Sequence, residues 1–231
     1  MDLLSKQREE RKRRILEVAR RLIAEHGYQG VTMRELANES LVSVPTLYNL
    51  FGGKNELLFA AVETYFINLL GSGDRDDTQE GLPRIIALAE GICRETVRHA
   101  AYTRSLMSFL AGPSDIGGLH EFAAGELTNE LVAALEEMQR SRQLVAWANV
   151  QVLGERLAGQ LTITTFEWAA GQLSDEGFRG AVLYGTGVLL LGVARGSATD
   201  ELERLVRKFQ KPAASGRRPS SRRRPVKTKG T

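Results

Sequence analysis

Residues 32–58 read TMRELANESLVSVPTLYNLFGGKNELL, and the run contains three helix starts. Thr32 suits an N-cap, Glu35 three positions later completes a capping box, and Val31 can pack on Leu36 as a hydrophobic staple. Ser43 repeats the arrangement, with Val42 and Leu47 as the staple. Gly53 begins again, with Glu56 at the third helical position. Thr32 to Phe51 therefore predicts two short helices separated by about four residues, Ser40 to Ser43, which is the size and order of a helix-turn-helix. Leu47, Leu50 and Phe51 share a face that can pack on Leu36 and Ala37. It can also reach the stripe Ile15, Val18, Ala19, Leu22 and Ile23 of a preceding helix that Gly27 stops. The opposite face turns Val44, Pro45, Tyr48 and Asn49 to solvent.

Outward from this run, nearly every segment has helical periodicity. Helices are expected over 54–70, 80–100, 119–140, 149–172, 175–195 and 198–209, with no strand alternation and no internal repeat. Ser174-Asp175-Glu176 is a clear start, with acids at the positive end of the helix dipole. At 231 residues, 42% hydrophobic and 26% charged, the chain can bury a sizeable core. The net charge of +3 conceals an asymmetry. Residues 71–210 carry 13 Lys/Arg against 19 Asp/Glu, whereas residues 211–231 carry 8 bases and no acid. KQREERKRR, residues 6–14, adds six bases at the other end. Basic ends on an acidic middle suit a polyanion partner for the ends and another task for the middle. The tail KPAASGRRPSSRRRPVKTKGT, residues 211–231, has too little apolar surface to offset the entropy of ordering, so disorder is expected. One cysteine, Cys93, fits a reducing cytoplasm. The N-terminus is charged where a signal peptide is apolar. The longest uncharged apolar run, 180–194, is too short to span a bilayer and reads as a buried helix, so no membrane partner is expected.

The run T-M-R-E-L-A-N-E-S-L-V-S-V-P-T-L-Y-N-L-F-G-G-K-N-E-L-L resembles the DNA-binding domain of the TetR family of bacterial transcriptional repressors. Thr32, Leu36, Ala37, Val42, Ser43, Thr46, Leu47, Tyr48, Phe51, Lys54 and Leu57 match that pattern. Two positions depart from it. Leu41 stands where the family's turn usually has Gly, a position that often needs positive φ, and Leu50 replaces a usual His or Tyr. Together with the helix geometry, the resemblance implies that Ser43, Thr46, Tyr48 and Lys54 lie on the DNA-binding surface, the last three at phosphates. Arg34, Val44, Pro45 and Asn49 would face bases. Asn49 can read adenine bidentately, and Val44 and Pro45 can meet thymine methyls. Thr32 reads first as a plain cap, and Arg34 equally as a solvated side chain.

The family's members are dimers joined through their last two long helices, which implies a homodimer on a palindromic operator. Ala181, Gly185, Val188 and Gly192 recur at i, i+4, i+7 and i+11 and would form the small-residue face at that interface. The resemblance also implies an effector pocket among the middle helices. Phe66, Tyr102, Met107, Phe109, Leu110, Phe122, Thr162, Thr165 and Phe166 are candidates for its wall, each also readable as ordinary core. Arg104 reads as an anchor for an acidic group or as solvated.

Enzymatic signatures are missing: no H-E-x-x-H, no G-x-S-x-G and no P-loop occurs, and His26, His99 and His120 lack metal-ligand spacing. A nonspecific DNA-packaging protein would suit the tail but leaves the 140-residue acidic middle without a purpose. The expected architecture is all-α. It has a helix-turn-helix DNA-binding domain over 1–55, a helical ligand-binding and dimerisation domain over 56–210 and the basic tail over 211–231. No cofactor and no metal are expected. The partners would be double-stranded DNA, a small-molecule effector and a second copy of the chain, in the cytoplasm and on the nucleoid when bound to DNA.

Overall fold

A computed structural model describes residues 3–71, 80–112 and 118–210. The tail 211–231 lies outside the described residues. Among the described residues the chain forms ten helices and no strand. They are α1 (Leu3–Gly30), α2 (Met33–Glu39), α3 (Val44–Phe51), α4 (Lys54–Gly71), α5 (Leu82–Arg98), α6 (Ala100–Leu110), α7 (Leu119–Arg140), α8 (Val150–Ala169), α9 (Asp175–Leu191) and α10 (Ser197–Phe209).

α1 bends where the sequence asks it to stop. Gly27 has φ 74° and ψ 163°, so the chain turns there before Tyr28 is buried against α6. No atom would meet a Cβ at Gly27, so the demand for glycine is conformational rather than steric. α4 packs on α1 and α3 at one end and on α5 and α7 at the other, so the expected boundary after residue 55 falls inside a helix common to both parts.

The expected helix over 80–100 ends earlier, and a helix that the periodicity did not separate follows it. α5 breaks at His99 (φ −107°, ψ 38°) without a Gly or Pro, and α6 then runs through 100–110. Tertiary packing holds this corner. The Tyr65 ring of α4 meets His99 at 6.1 Å and Tyr102 at 4.8 Å, while the Tyr65 hydroxyl lies 3.1 Å from Thr103 Oγ1. α8 ends at Ala169 and α9 at Leu191, three and four residues before the expected limits.

The core is one apolar cluster reaching from Ile15 in α1 to Leu202 in α10. Near its far end Trp168 is fully buried, stacks on Phe178 at 5.5 Å and donates its indole N–H to Asp175 Oδ1 at 2.8 Å. Asp175 thus holds the α8–α9 turn from the first residue of α9. The Arg104 guanidinium lies 4.7 Å above the same indole, a cation–π contact made by a side chain that is exposed, in keeping with its solvated reading.

Candidate nucleic-acid interface and effector cavity

The turn between α2 and α3 closes by two backbone bonds. Val42 N–H donates to Ala37 O at 3.0 Å, and Leu41 N–H to Asn38 O at 3.2 Å. This is the Schellman pattern, whose penultimate residue takes the left-handed conformation usually given to Gly. Leu41 occupies it with φ 55° and an 87% exposed side chain, so the turn has the family's shape despite a Cβ that disfavours it. Caps then set the direction of both helices. Thr32 Oγ1 accepts from Glu35 N–H at 3.2 Å, and Ser43 Oγ accepts from Thr46 N–H at 3.3 Å. The Glu35 carboxylate turns to His26 Nε2, 3.1 Å away. Arg21 of α1 meets Glu39 at 2.8 Å, which ties α1 to the end of α2, and its pKa is raised chiefly by that hydrogen bond.

Leu47 is completely buried, with Leu36 and Ala37, while Leu50 and Phe51 pack on the core from its edge. The outer face of α3 carries Pro45, Asn49 and Tyr48, the last 51% exposed. Arg34 on α2 and its cap Thr32 are exposed as well. Two predicted contact residues differ from expectation. Val44 is half-buried and packs on the core, leaving only part of it for a base. Thr46 is half-buried, and its hydroxyl lies 2.8 Å from Ser43 Oγ. Lys54 opens α4, and its ammonium donates to Gln29 O at 3.1 Å, beyond the Gly27 bend. An ammonium has three protons, so this bond leaves donors for a phosphate.

A second region gathers the expected pocket residues. A cavity of about 110 Å³ lies between α4, α5, α6, α7 and α8. Phe66, Met107, Leu110, Thr162, Thr165 and Phe166 line it as expected, together with Leu69, Leu70, Ile92, Leu106, Leu127 and Leu161. Three expected wall residues lie elsewhere. Phe109 stacks on Tyr28 with ring centres 4.1 Å apart, Tyr102 packs against Tyr65, and Phe122 meets Phe59 at 5.8 Å. The additional wall residues are apolar positions at helical spacing, which nothing in the sequence separates from plain core. Among the described residues no charged side chain lines the cavity, and four of its hydroxyls are engaged: Thr162 donates to Ala158 O, Thr165 to Leu161 O, and Tyr65 pairs with Thr103. The wall presented to a guest is therefore apolar.

α9 leaves a third face open. Val188 and Tyr184 on α9, with Val152 and Ile163 on α8, are large apolar side chains between 39% and 63% exposed. Gly159 and Gly192 have open space where a Cβ would be. Gly185 is also close-packed within its own chain, because a Cβ there would come within 2.4 Å of Gln160 Nε2. Gln160 donates to Ala181 O at 3.3 Å, so Ala181 and Gly185 also admit a side chain of α8 in the same chain.

Residues 15–61, the segment that forms this capped helix pair and its flanks, match the model of bacterial regulatory proteins of the tetR family. That segment is a TetR-family DNA-binding region. It is 27% identical over 150 residues to the HTH-type transcriptional repressor KstR of Rhodococcus jostii (strain RHA1), covering 64% of this chain and 71% of that one. Its fold is that of SmeT, the repressor of the Stenotrophomonas maltophilia multidrug efflux pump SmeDEF, with a TM-score of 0.62 at 15% identity over 81% of this chain and 92% of SmeT. A gamma-butyrolactone receptor, ArpA-like, shares the fold with a TM-score of 0.56 at 16% identity, covering 88% of this chain and 98% of the receptor. The matched family and the KstR relative are transcriptional regulators rather than enzymes, and this chain is a DNA-binding transcriptional regulator. Among the described residues no helix of the chain is long and apolar enough to cross a membrane.

Proposed function

We propose that this TetR-family regulator is a repressor that binds a palindromic operator as a two-fold homodimer. A small, largely apolar effector releases it. The cavity carries the effector part of this reading: among the described residues its wall has no charge, and it is bounded by the same helix, α4, that begins at Lys54. A KstR repressor among the relatives and a gamma-butyrolactone receptor among the fold neighbours agree with a repressor that senses a small molecule. At about 110 Å³ the cavity is smaller than the roughly 150 Å³ that admits benzene, so a larger effector must push its walls apart. α6 forms one such wall with Leu106, Met107 and Leu110, and carries Phe109 on its other side against Tyr28. Displacing α6 therefore moves Tyr28, the neighbouring Gln29 carbonyl and the ammonium of Lys54, while α4 tilts from its Tyr65–Leu70 end. A roughly 100-fold loss of operator affinity corresponds to about 2.7 kcal/mol of preference of the effector for the DNA-incompetent arrangement.

The exposed apolar stripe of Val152, Ile163, Tyr184 and Val188 supports the homodimer, since two copies of one patch close a two-fold interface. Dimerisation sets two α3 helices on successive major grooves. Half-sites should then be centred about 10 bp or a multiple apart. Selection of bound duplexes from a random pool tests the reading directly: an inverted repeat is expected, and recovery of single unpaired half-sites would defeat it. On the selected site, Tyr48→Ala should weaken all sequences alike, because its partner is a phosphate. Asn49→Ala should instead relax one base position by roughly 1–3 kcal/mol. For the effector, lipophilic compounds that raise the melting temperature should compete with operator. A compound that stabilised the free and the DNA-bound dimer equally would mark a pocket without a switch.

A further inference from the structure

A cleft of about 370 Å³ separates α1 from the corner where α5 gives way to α6. Four basic side chains line it: Arg20, Arg21, Arg98 and His99. Three of them have carboxylate neighbours. Arg21 contacts Glu39 at 2.8 Å and Glu25 at 3.6 Å, while Arg98 and His99 face Glu95 at 3.6 Å and 3.7 Å. Arg20 is half-buried, and among the described residues no carboxylate pairs with it. A half-buried guanidinium without a counter-charge has lost part of its hydration and gained nothing in exchange.

Two tyrosines beside Arg20 complete the wall. The Tyr65 hydroxyl is paired with Thr103, but the hydroxyl of Tyr102 is buried without any hydrogen-bond partner, in a side chain only 5% exposed. Burial, then the neighbouring Tyr65, raise the pKa of Tyr102, and the positive charge of Arg20, which lines the same cleft, partly offsets them. A buried O–H with no acceptor is a donor waiting for one. α6 also begins in this cleft. Ala100 and Ala101 line it, and the helix has no side-chain cap, so its first N–H groups bring the positive end of the dipole to the same place. The opposing charge is Glu17, exposed at the rim.

We propose that this cleft binds the anionic group of a small ligand, a carboxylate or a phosphate, with Arg20 as counter-charge and the Tyr102 hydroxyl and the α6 N-terminus as donors. The site is separate from the apolar cavity, although Tyr65 stands in the wall of both. It joins α1, which carries the DNA-binding unit, to the α5–α6 corner, so an occupant ties the two parts of the chain together. The proposal goes beyond operator binding and needs no DNA.

The test is a calorimetric titration of the full chain, free of DNA, with inorganic phosphate, with benzoate and with the uncharged benzamide. Saturable binding of at least one anion and none of benzamide is expected, and whichever anion binds identifies the source of the charge. Arg20→Gln should weaken anion binding by about tenfold or more, the value of a charge-assisted hydrogen bond pair. Glu17→Gln should strengthen it by removing the opposing charge. Tyr102→Phe separates a binding role from a packing role. Losing an unpartnered buried hydroxyl should raise the melting temperature of the free protein while weakening the anion. The proposal is overturned if neither anion saturates, if benzamide binds as well as benzoate, or if folded Arg20→Gln or Tyr102→Phe keeps the wild-type anion affinity.

Discussion

The helix starts at the two ends of the molecule are built differently. α2 and α3 begin at Thr32 and Ser43, whose own hydroxyls accept from the chain three residues on. α5, α6, α7 and α10 begin at Gly81, His99, Gly118 and Gly196, none with a side-chain cap. In the first region the instruction for each helix lies within a few residues of its start. In the second, two boundaries come from what a distant helix places there. The Glu137 carboxylate of α7 accepts from Gly81 N–H at 3.0 Å, and the Tyr65 ring of α4 backs the His99 corner. Asn149 and Ser174 are the exceptions, capping α8 and α9 locally, and both of those starts were legible. A DNA-reading surface needs fixed local geometry, whereas the rest of the helical bundle can take its shape from packing.

The largest expected effect tests the packed region. Ile163→Arg combined with Val188→Arg should give a monomer by light scattering and lower operator affinity by about 10²–10⁴, the loss expected when two linked half-site contacts become one. A dimer that survived both charges would move the interface away from the α8–α9 face. Next comes Leu47→Ala, which removes a fully buried side chain of α3 and should cost about 2–5 kcal/mol. Since one apolar cluster runs through both regions, the melt should stay a single transition. Cys93 supplies an independent readout. Burial pushes its thiol up to about 12, with Arg179 partly offsetting it, so the native chain should resist alkylation at neutral pH. Faster labelling of Cys93 in Leu47→Ala would accompany that joint transition, and two separate melts would show that the regions fold apart.

Smaller effects probe the local code. Ser43→Ala should cost about 1 kcal/mol in thermal or denaturant unfolding, because it deletes the cap of α3. Loss of no stability would mean that packing, not capping, holds this helix too. Leu41→Gly should act in the opposite direction, raising stability by under about 1 kcal/mol. It relieves the left-handed strain at φ 55°, and glycine's greater freedom in the unfolded chain offsets part of the gain. A destabilised Leu41→Gly would assign the exposed leucine a contact that the turn geometry does not reveal.

The all-helical architecture, the capped helix pair and an interruption at Gly27 were legible because each depends on neighbours within about one turn, whereas the left-handed position at Leu41 was implied by the family resemblance. The outer surface of α3 was legible for Tyr48 and Asn49 for the same reason. Val44 and Thr46 were harder, since their half-burial depends on what packs beside the first turn. The cavity shows the limit more sharply. Without a helix over 100–110, Tyr102 and Phe109 could not be told from Met107 and Leu110, yet on α6 they lie about a quarter-turn round from the cavity stripe and face α1 instead. Gly185 likewise reads as an open small-residue position until Gln160 of α8 is seen against it. By itself the sequence determined the helix-turn-helix, its caps and the apolar stripes, because short-range hydrogen bonds and periodicity require no distant partner. Only the tertiary structure decided which apolar faces close on one another, which enclose space and which stay open, because burial is a property of pairs of helices and no single stripe encodes its partner.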